Sequence, residues 1–228
     1  MKRILLAAFL VFIGTTAMAQ SIFCTTPTAE SQKMLDSVKY VMPEFVTGTI
    51  FFDNGTQYIG AINIFTLNQK VHFKNEEGEV MVLDNNSDVS SVFIKGRTFL
   101  NSRYGYLEVY EASGEMFMGE IRVLNVFSEA KEGAFGTKSQ TTSIQTVDLM
   151  EMSHSTMLDF TENKKTPYSY KKIPYVYKKG NFQKASKKFF IKNFSDKKGF
   201  IEDYLQNNDV DFENVQDVRK LFRAVIKQ

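Results

Sequence analysis

A hairpin signal in the first quarter of the chain constrains the fold more than any other feature of the sequence. Asn54-Gly55 stands between residues 49–52 and 56–65, two segments rich in β-branched and aromatic residues. Asn and Gly readily adopt the positive φ angles that both central residues of a type I′ turn need, and strands flanking such a turn pair antiparallel. The sequence therefore predicts a β-hairpin with a two-residue turn at Asn54-Gly55.

Short segments of the same kind follow at regular intervals. They are residues 70–74 and 79–83 around a turn at 75–78, 89–94 and 98–101 around Lys95-Gly96, and 106–110 and 115–127 around Ser113-Gly114. Neighbouring strands joined by short turns usually pair, so the series predicts an antiparallel meander. Seven or eight such strands fit a small barrel or a strongly bent sheet better than parallel units.

Two further strands are expected later in the β domain, which we assign to residues 45–179. They are residues 144–152 and 168–177, and the second contains Pro174. Proline has no N–H to donate to a neighbouring strand, so this segment is expected at a sheet edge.

Helical patterns flank the β domain on both sides. In the N-terminal segment, residues 20–44, apolar residues recur at helical spacing over 29–41 and predict one short amphipathic helix. After Gly180 the pattern is helical to the end, with Ser195 and Asn214 as candidate N-caps. The expected fold class is therefore α+β, mainly β, with a basic helical C-terminal appendage at residues 180–228.

The first 19 residues have the pattern of a cleaved signal peptide. Lys2 and Arg3 precede an apolar run at 4–13, and Ala17-Met18-Ala19 supplies small residues for cleavage. The alternatives are an uncleaved anchor and a lipid on Cys24, but the apolar run is short for a membrane span and Cys24 follows Phe23 instead of a small residue. We therefore expect an exported protein of the periplasm or cell envelope, or an extracellular one, with no transmembrane span in the mature chain.

Charge is distributed unevenly along the chain. Residues 20–163 carry 10 Lys and Arg against 19 Asp and Glu, whereas residues 164–198 carry 12 Lys against Asp196 alone. Such a basic segment favours contact with an anionic envelope component, although lysines that only solvate the fold would produce the same pattern. The export signal and the absence of Arg from this segment argue against nucleic acid. The candidate contacts are Lys187, Lys188, Lys192, Lys197 and Lys198.

Side chains that would mark catalysis or metal binding are sparse. His72 and His154 are the two histidines, neither has partners at ligand spacing, and no GxSxG motif occurs. Glu76, Glu77 and Glu79 surround the predicted turn at 75–78, where carboxylates are usually solvated. We therefore expect no enzyme, cofactor or metal site. The alternative is a small-molecule binder or hydrolase whose site lies at a barrel mouth, near the long loop at 129–142.

The chain resembles a group of exported Bacteroidota proteins that have no assigned activity. The resemblance rests on Ala19-Gln20 at the leader end, on Phe52-Asp53-Asn54-Gly55, and on the tail sequence from Lys188-Phe189-Phe190 to Asp217-Val218. It implies a bacterial envelope setting and supplies no catalytic residue. Together with the basic segment, it favours a binding or assembly module that contacts an anionic envelope component or another envelope protein; oligomeric state stays open.

Overall fold

A computed structural model describes residues 21–24, 28–126 and 167–228. The leader, the loop at 129–142, the expected strand at 144–152 and His154 lie outside the described residues. Within them the chain is mainly antiparallel β-sheet with a few helices.

The described residues form eleven strands and four α-helices in the order β1, α1, β2 to β11, α2, α3, α4. The strands are β1 Ser21–Cys24, β2 Val46–Phe52, β3 Gln57–Phe65, β4 Lys70–Lys74, β5 Val80–Val82, β6 Val89–Ile94, β7 Arg97–Leu100, β8 Leu107–Ser113, β9 Met116–Val126, β10 Tyr168–Lys178 and β11 Asn181–Lys184. The helices are α1 Ala29–Val38, α2 Lys187–Asn193, α3 Lys198–Asn207 and α4 Val215–Lys227.

All these strands belong to one sheet, in the order β1-β10-β9-β8-β7-β6-β2-β3-β4-β5, with β11 also paired to β10. The predicted single meander is therefore two meanders, β2 to β5 and β6 to β10. A single meander would pair β6 with β5. Here β6 pairs with β2, with Thr49 opposite Phe93, and this pairing joins the two meanders. Local turn signals could not reveal this non-local pairing.

The sheet bends strongly along this order. The backbone N–H of Leu124 on β9 donates a 3.1 Å hydrogen bond to the carbonyl of Thr66, which follows β3. In a flat sheet, strands five positions apart would be separated by about 24 Å. No pairing joins β1 to β5 at the two ends of the order, so the sheet is not closed among the described strands and the predicted barrel is not observed there.

The turn at Asn54-Gly55 differs from the two-residue prediction. Gly55 N–H donates to the Phe52 carbonyl and only Gly55 has positive φ, at +81°, so the loop contains three residues and Asn54 keeps a negative φ. Two-residue turns with positive φ at both positions occur instead at Lys95-Gly96 and Lys179-Gly180. The prediction of a hairpin was confirmed, and its turn type was wrong.

Strand β10 is an interior strand, so its predicted edge position was wrong. It pairs with β9 on one side and with both β1 and β11 on the other. Pro174 nevertheless lies between the last β1 partner, Lys171, and the first β11 partner, Tyr175. The Pro174 carbonyl accepts a 2.9 Å hydrogen bond from Ala185 N–H on that side. Because Pro174 lies in the gap between β1 and β11, neither strand requires an N–H donor at this position.

Three apolar clusters hold these elements together. The first fills the bend between β2, β3, β4, β6 and β7, and includes Ile50, Ile62 and Phe99. The second packs α1 on the ends of β9 and β10, and half-buried Cys24, a free cysteine, contributes to it. The third joins the C-terminal helices to Met118 and Val176, so the helical appendage packs on the sheet as well as on itself.

The C-terminal region begins with a strand and becomes helical only at Lys187. The expectation of helix directly after Gly180 was wrong because residues 181–184 form β11, paired with the end of β10. Ser186 caps α2 and Asn214 caps α4, the latter as predicted. Ser195 starts a short 3₁₀ turn instead of capping α3, which follows Lys197.

Candidate functional site

The structure separates the five candidate lysines into two groups. Lys187, Lys188 and Lys192 on α2 are exposed and have no ion-pair partner among the described residues. Lys197 Nζ donates a 2.9 Å hydrogen bond to the Val225 carbonyl, and Lys198 Nζ lies 3.8 Å from Glu202. Only the three α2 lysines are therefore fully available to a partner.

The position of these three lysines follows from the amphipathic pattern of α2. Phe189 and Phe190 form the apolar face of the helix. They are buried in the third apolar cluster, which joins the C-terminal helices to the sheet and which we call the tail cluster. Lys187, Lys188 and Lys192 fall on the remaining surface of the helix and are exposed to solvent.

A shallow depression of about 230 Å³ lies between α2 and the β10–β11 turn. We call it the basic depression, and it is lined by Lys178, Lys179, Asn181, Gln183, Phe189, Lys192 and Asn193. It brings Lys192 of the predicted set together with Lys178 at the end of β10 and Lys179 in the turn that follows. None of the lining residues is acidic, so its local charge is positive.

Lys178 and Lys179 reach the depression for different reasons. Lys178 Nζ donates a 2.8 Å hydrogen bond to the Asn193 carbonyl and lies 5.7 Å from the Phe194 ring centre, so its position is held by the end of α2. Lys179 is exposed in the turn, at φ +48°. The turn that contains Lys179 has the sequence Lys-Gly, the same dipeptide that forms the turn at Lys95-Gly96.

His72 is held in an aromatic cluster instead of a metal site. Its Nδ1 lies 3.0 Å from the Tyr40 hydroxyl oxygen and its ring stacks on Phe65. Burial, aided by the charge of Lys70, lowers the pKa of His72 to about 4, so the ring is neutral at physiological pH. Among residues 21–24, 28–126 and 167–228, no group of three His, Cys, Asp or Glu side chains is placed to hold a metal.

A buried ionic cluster in the sheet had no counterpart in the sequence predictions. Arg122 contacts Glu108 at 2.8 Å and Glu120 at 2.7 Å, and Arg97 also contacts Glu108. Arg122 Nη1 further donates to the Val41 carbonyl at 3.0 Å. Both carboxylates are buried and both are paired with guanidinium groups, so the cluster joins β7, β8 and β9 across the sheet.

The three glutamates of the predicted acidic turn lie at the surface. Glu76 and Glu77 are exposed, and the Glu79 carboxylate accepts a 3.0 Å hydrogen bond from the Asn75 side chain across the β4–β5 turn. The Glu79 carboxylate thus stabilises the turn, and the Glu76 and Glu77 side chains are solvated.

Comparisons with known proteins assign no family to the chain. No protein-family model matches the chain, and no curated protein or solved structure shows a significant match. Among the helices of the described part of the chain, none has the length and apolar content needed to cross a bilayer.

Proposed function

We propose that this chain is an exported envelope protein that acts by binding, and that the basic depression with Lys187 and Lys188 contacts an anionic envelope component. The observation that carries the proposal is the convergence of Lys178, Lys179 and Lys192 from two separate elements on one concave surface without an acidic residue. The leader at 1–19 supports the exported setting.

The chemistry of the surface favours phosphate groups, with carboxylates as weaker alternatives. Ammonium groups make charge-assisted hydrogen bonds to anionic oxygens, and amide N–H groups such as those of Asn181 and Gln183 add neutral donors. Lysine is a hydrated point charge without a fixed bidentate geometry. The binding is therefore tolerant of ligand shape and strongly weakened by salt.

The rest of the molecule acts as the scaffold in this proposal. The bent sheet, or a barrel formed with further chain, positions the β10–β11 turn, and the tail cluster fixes α2 beside it. Lys178 links the two elements directly through the Asn193 carbonyl. The spacing of the lysines is therefore set by tertiary packing.

The test is a comparison of two variants of the mature chain with equal loss of charge. In the site variant, Lys179, Lys187, Lys188 and Lys192 are each changed to Gln. In the control variant, four exposed lysines elsewhere are changed to Gln: Lys33, Lys74, Lys95 and Lys227. Sedimentation with phosphatidylglycerol-containing vesicles and titration with soluble polyphosphate, at low and high salt, distinguish a lipid source of phosphate from a polymer source.

We expect the site variant to bind at least about tenfold more weakly than the wild type to one of the two probes, since each lysine near an anionic surface contributes about 1 kcal/mol. The control variant is expected to stay within about threefold of the wild type, because its lysines are dispersed. Equal losses in the two variants, or no binding of the wild type to either probe at low salt, would overturn the proposal.

A further inference from the structure

A larger concave surface lies on the other face of the β10–β11 hairpin. It is an open cleft of about 870 Å³. Side chains alternate between the two faces of a strand, so Lys178 contributes to the basic depression while Tyr177 contributes to this cleft. We call it the aromatic cleft, after the rings of Phe117, Tyr177 and Phe182 that line one side.

The three rings form a continuous row across β9, β10 and β11. Phe117 lies opposite Tyr177 in the sheet, and Tyr177 lies opposite Phe182. Their ring centres are 5.5 Å and 4.8 Å apart, with the planes tilted by 35° and 57°. All three are half-buried, so the row is anchored to the sheet and still contacts solvent.

The row continues on the same face of β10 with a second aromatic pair. Tyr175, two residues before Tyr177, packs against Tyr104 with ring centres 5.2 Å apart. Tyr104 is exposed, and the Arg103 guanidinium lies 4.7 Å from its ring centre. Arg103 itself lines the cleft, so this pair extends the aromatic surface at the cleft margin.

The rest of the cleft lining is mostly polar, and two of its asparagines are held by internal hydrogen bonds. The Asn86 side-chain oxygen accepts from Val71 N–H at 2.9 Å and from the Tyr106 hydroxyl at 2.8 Å. The Asn101 side-chain nitrogen donates to the carbonyls of Asn86 at 3.1 Å and Val89 at 2.8 Å. These bonds preorganise this part of the lining, which lowers the entropic cost of binding a ligand there.

The charges around the cleft balance. Asp53 and Asp84 are matched by Lys70 and Arg103, and all four line the cleft. This arrangement differs from the basic depression, whose charged residues are all lysines. An anionic or cationic ligand would gain little from such a surface, whereas a neutral ligand with many hydrogen-bonding groups could use both acceptors and donors.

From this geometry we propose that the aromatic cleft binds a neutral saccharide chain. A sugar ring has apolar C–H faces that pack on aromatic rings and a rim of hydroxyl groups that both donate and accept hydrogen bonds. The lining of the cleft supplies both the aromatic rings and the polar groups, and its open form has room for an extended chain. Its volume lies within the range of about 300–1,000 Å³ common for ligand sites. The proposal is independent of the anion-binding function, because it uses different residues on the other face of the hairpin.

The experiment is calorimetric titration of the mature chain with three neutral oligosaccharides: β-1,4-linked N-acetylglucosamine, β-1,4-linked glucose and α-1,4-linked glucose. We expect binding of at least one of them. Tyr177→Ala is expected to weaken this binding at least about tenfold, while Tyr177→Phe keeps the ring and stays within about threefold of wild type. Phe93→Ala, which removes an exposed aromatic ring outside the cleft, is the matched control and is expected to bind normally.

Phe182→Ala provides a second variant in case Tyr177→Ala fails to fold, because Phe182 lies on the short outer strand β11. Absence of wild-type binding to all three oligosaccharides, or wild-type affinity in the folded alanine variants, would overturn the inference. The four-lysine site variant described above is expected to keep its saccharide affinity. Failure of the anion-binding proposal would therefore leave this result unaffected, and the two proposals can fail separately.

Discussion

The backbone N–H of Leu124 on β9 donates a 3.1 Å hydrogen bond to the carbonyl of Thr66, although five steps of the sheet order separate β9 from β3. Gln69 reinforces this contact, because its side-chain nitrogen donates to the carbonyls of Thr66 at 2.8 Å and Arg122 at 2.7 Å. The bend brings Lys70 of β4 and Phe117 of β9 to the same cleft. The bend therefore helps to shape the cleft.

Gln69→Ala is expected to lower the free energy of unfolding by about 2 kcal/mol, because it leaves half-buried backbone groups without their partners. These groups include Tyr106 N–H, which donates to the Gln69 side-chain oxygen at 3.1 Å. Urea unfolding measures the change. Glu77→Ala in the exposed β4–β5 turn is the control, with an expected change near zero. A Gln69→Ala variant as stable as this control would show that the bend is held by other contacts.

Arg122→Met is expected to destabilise the protein by about 3–5 kcal/mol. The substitution leaves the buried Glu120 carboxylate without its guanidinium partner. It also removes one of the two guanidinium groups that pair with the buried Glu108 carboxylate. Chemical denaturation at neutral pH checks the prediction. Lys95→Met breaks the exposed Lys95–Glu44 pair and should cost less than about 1 kcal/mol. Equal decreases in the free energy of unfolding of the two variants would contradict the prediction that the buried ion pairs matter more than the exposed one.

His72 is expected to make stability fall as the solution is acidified from pH 6.5 to 4. Its pKa is lowered to about 4 in the folded protein, mainly by burial and also by the charge of Lys70, so the unfolded chain binds a proton over this interval and the folded chain does not. Above pH 6.5 the ring is neutral in both states. The loss amounts to about 3 kcal/mol and is complete below about pH 4.

NMR titration of the His72 ring measures this pKa directly, and unfolding of His72→Phe across the same pH range measures its contribution to stability. The variant should show a shallower loss on acidification, since the carboxylates and His154 are common to both proteins. A His72 pKa near 6.5 in the folded wild type would contradict the prediction.

Lys95→Asn is expected to stabilise the protein by about 0.5 kcal/mol. Lys95 is at φ +47° in the two-residue turn between β6 and β7, and asparagine tolerates this conformation better than lysine does. Thermal unfolding monitored by circular dichroism checks the sign. A decrease in stability for Lys95→Asn would exclude a conformational cost of lysine at the Lys95-Gly96 turn.

The reverse change at the other turn, Asn54→Lys, is expected to destabilise the protein for another reason. The Asn54 side chain accepts a hydrogen bond from Thr56 N–H at 2.9 Å, and lysine cannot replace it.

The sequence by itself determined the local elements. Alternating residues between turn signals predicted the strands from β2 to β9, the apolar spacing of residues 29–41 predicted α1, and the Phe and Lys pattern predicted a helical tail. These features depend on φ preferences and on the side-chain period within a few residues, which are present in any stretch of chain. The lysines of α2 were likewise predictable as an exposed face.

The tertiary structure decided how these elements meet. The pairing of β6 with β2, the bend that joins Leu124 to Thr66, and the approach of Lys178 to the end of α2 all link residues that no local pattern relates. The cleft lined by the aromatic row and by Asn86 has the same origin. Such contacts depend on which surfaces bury the most apolar area and satisfy the most polar groups together, and that is a property of the whole chain.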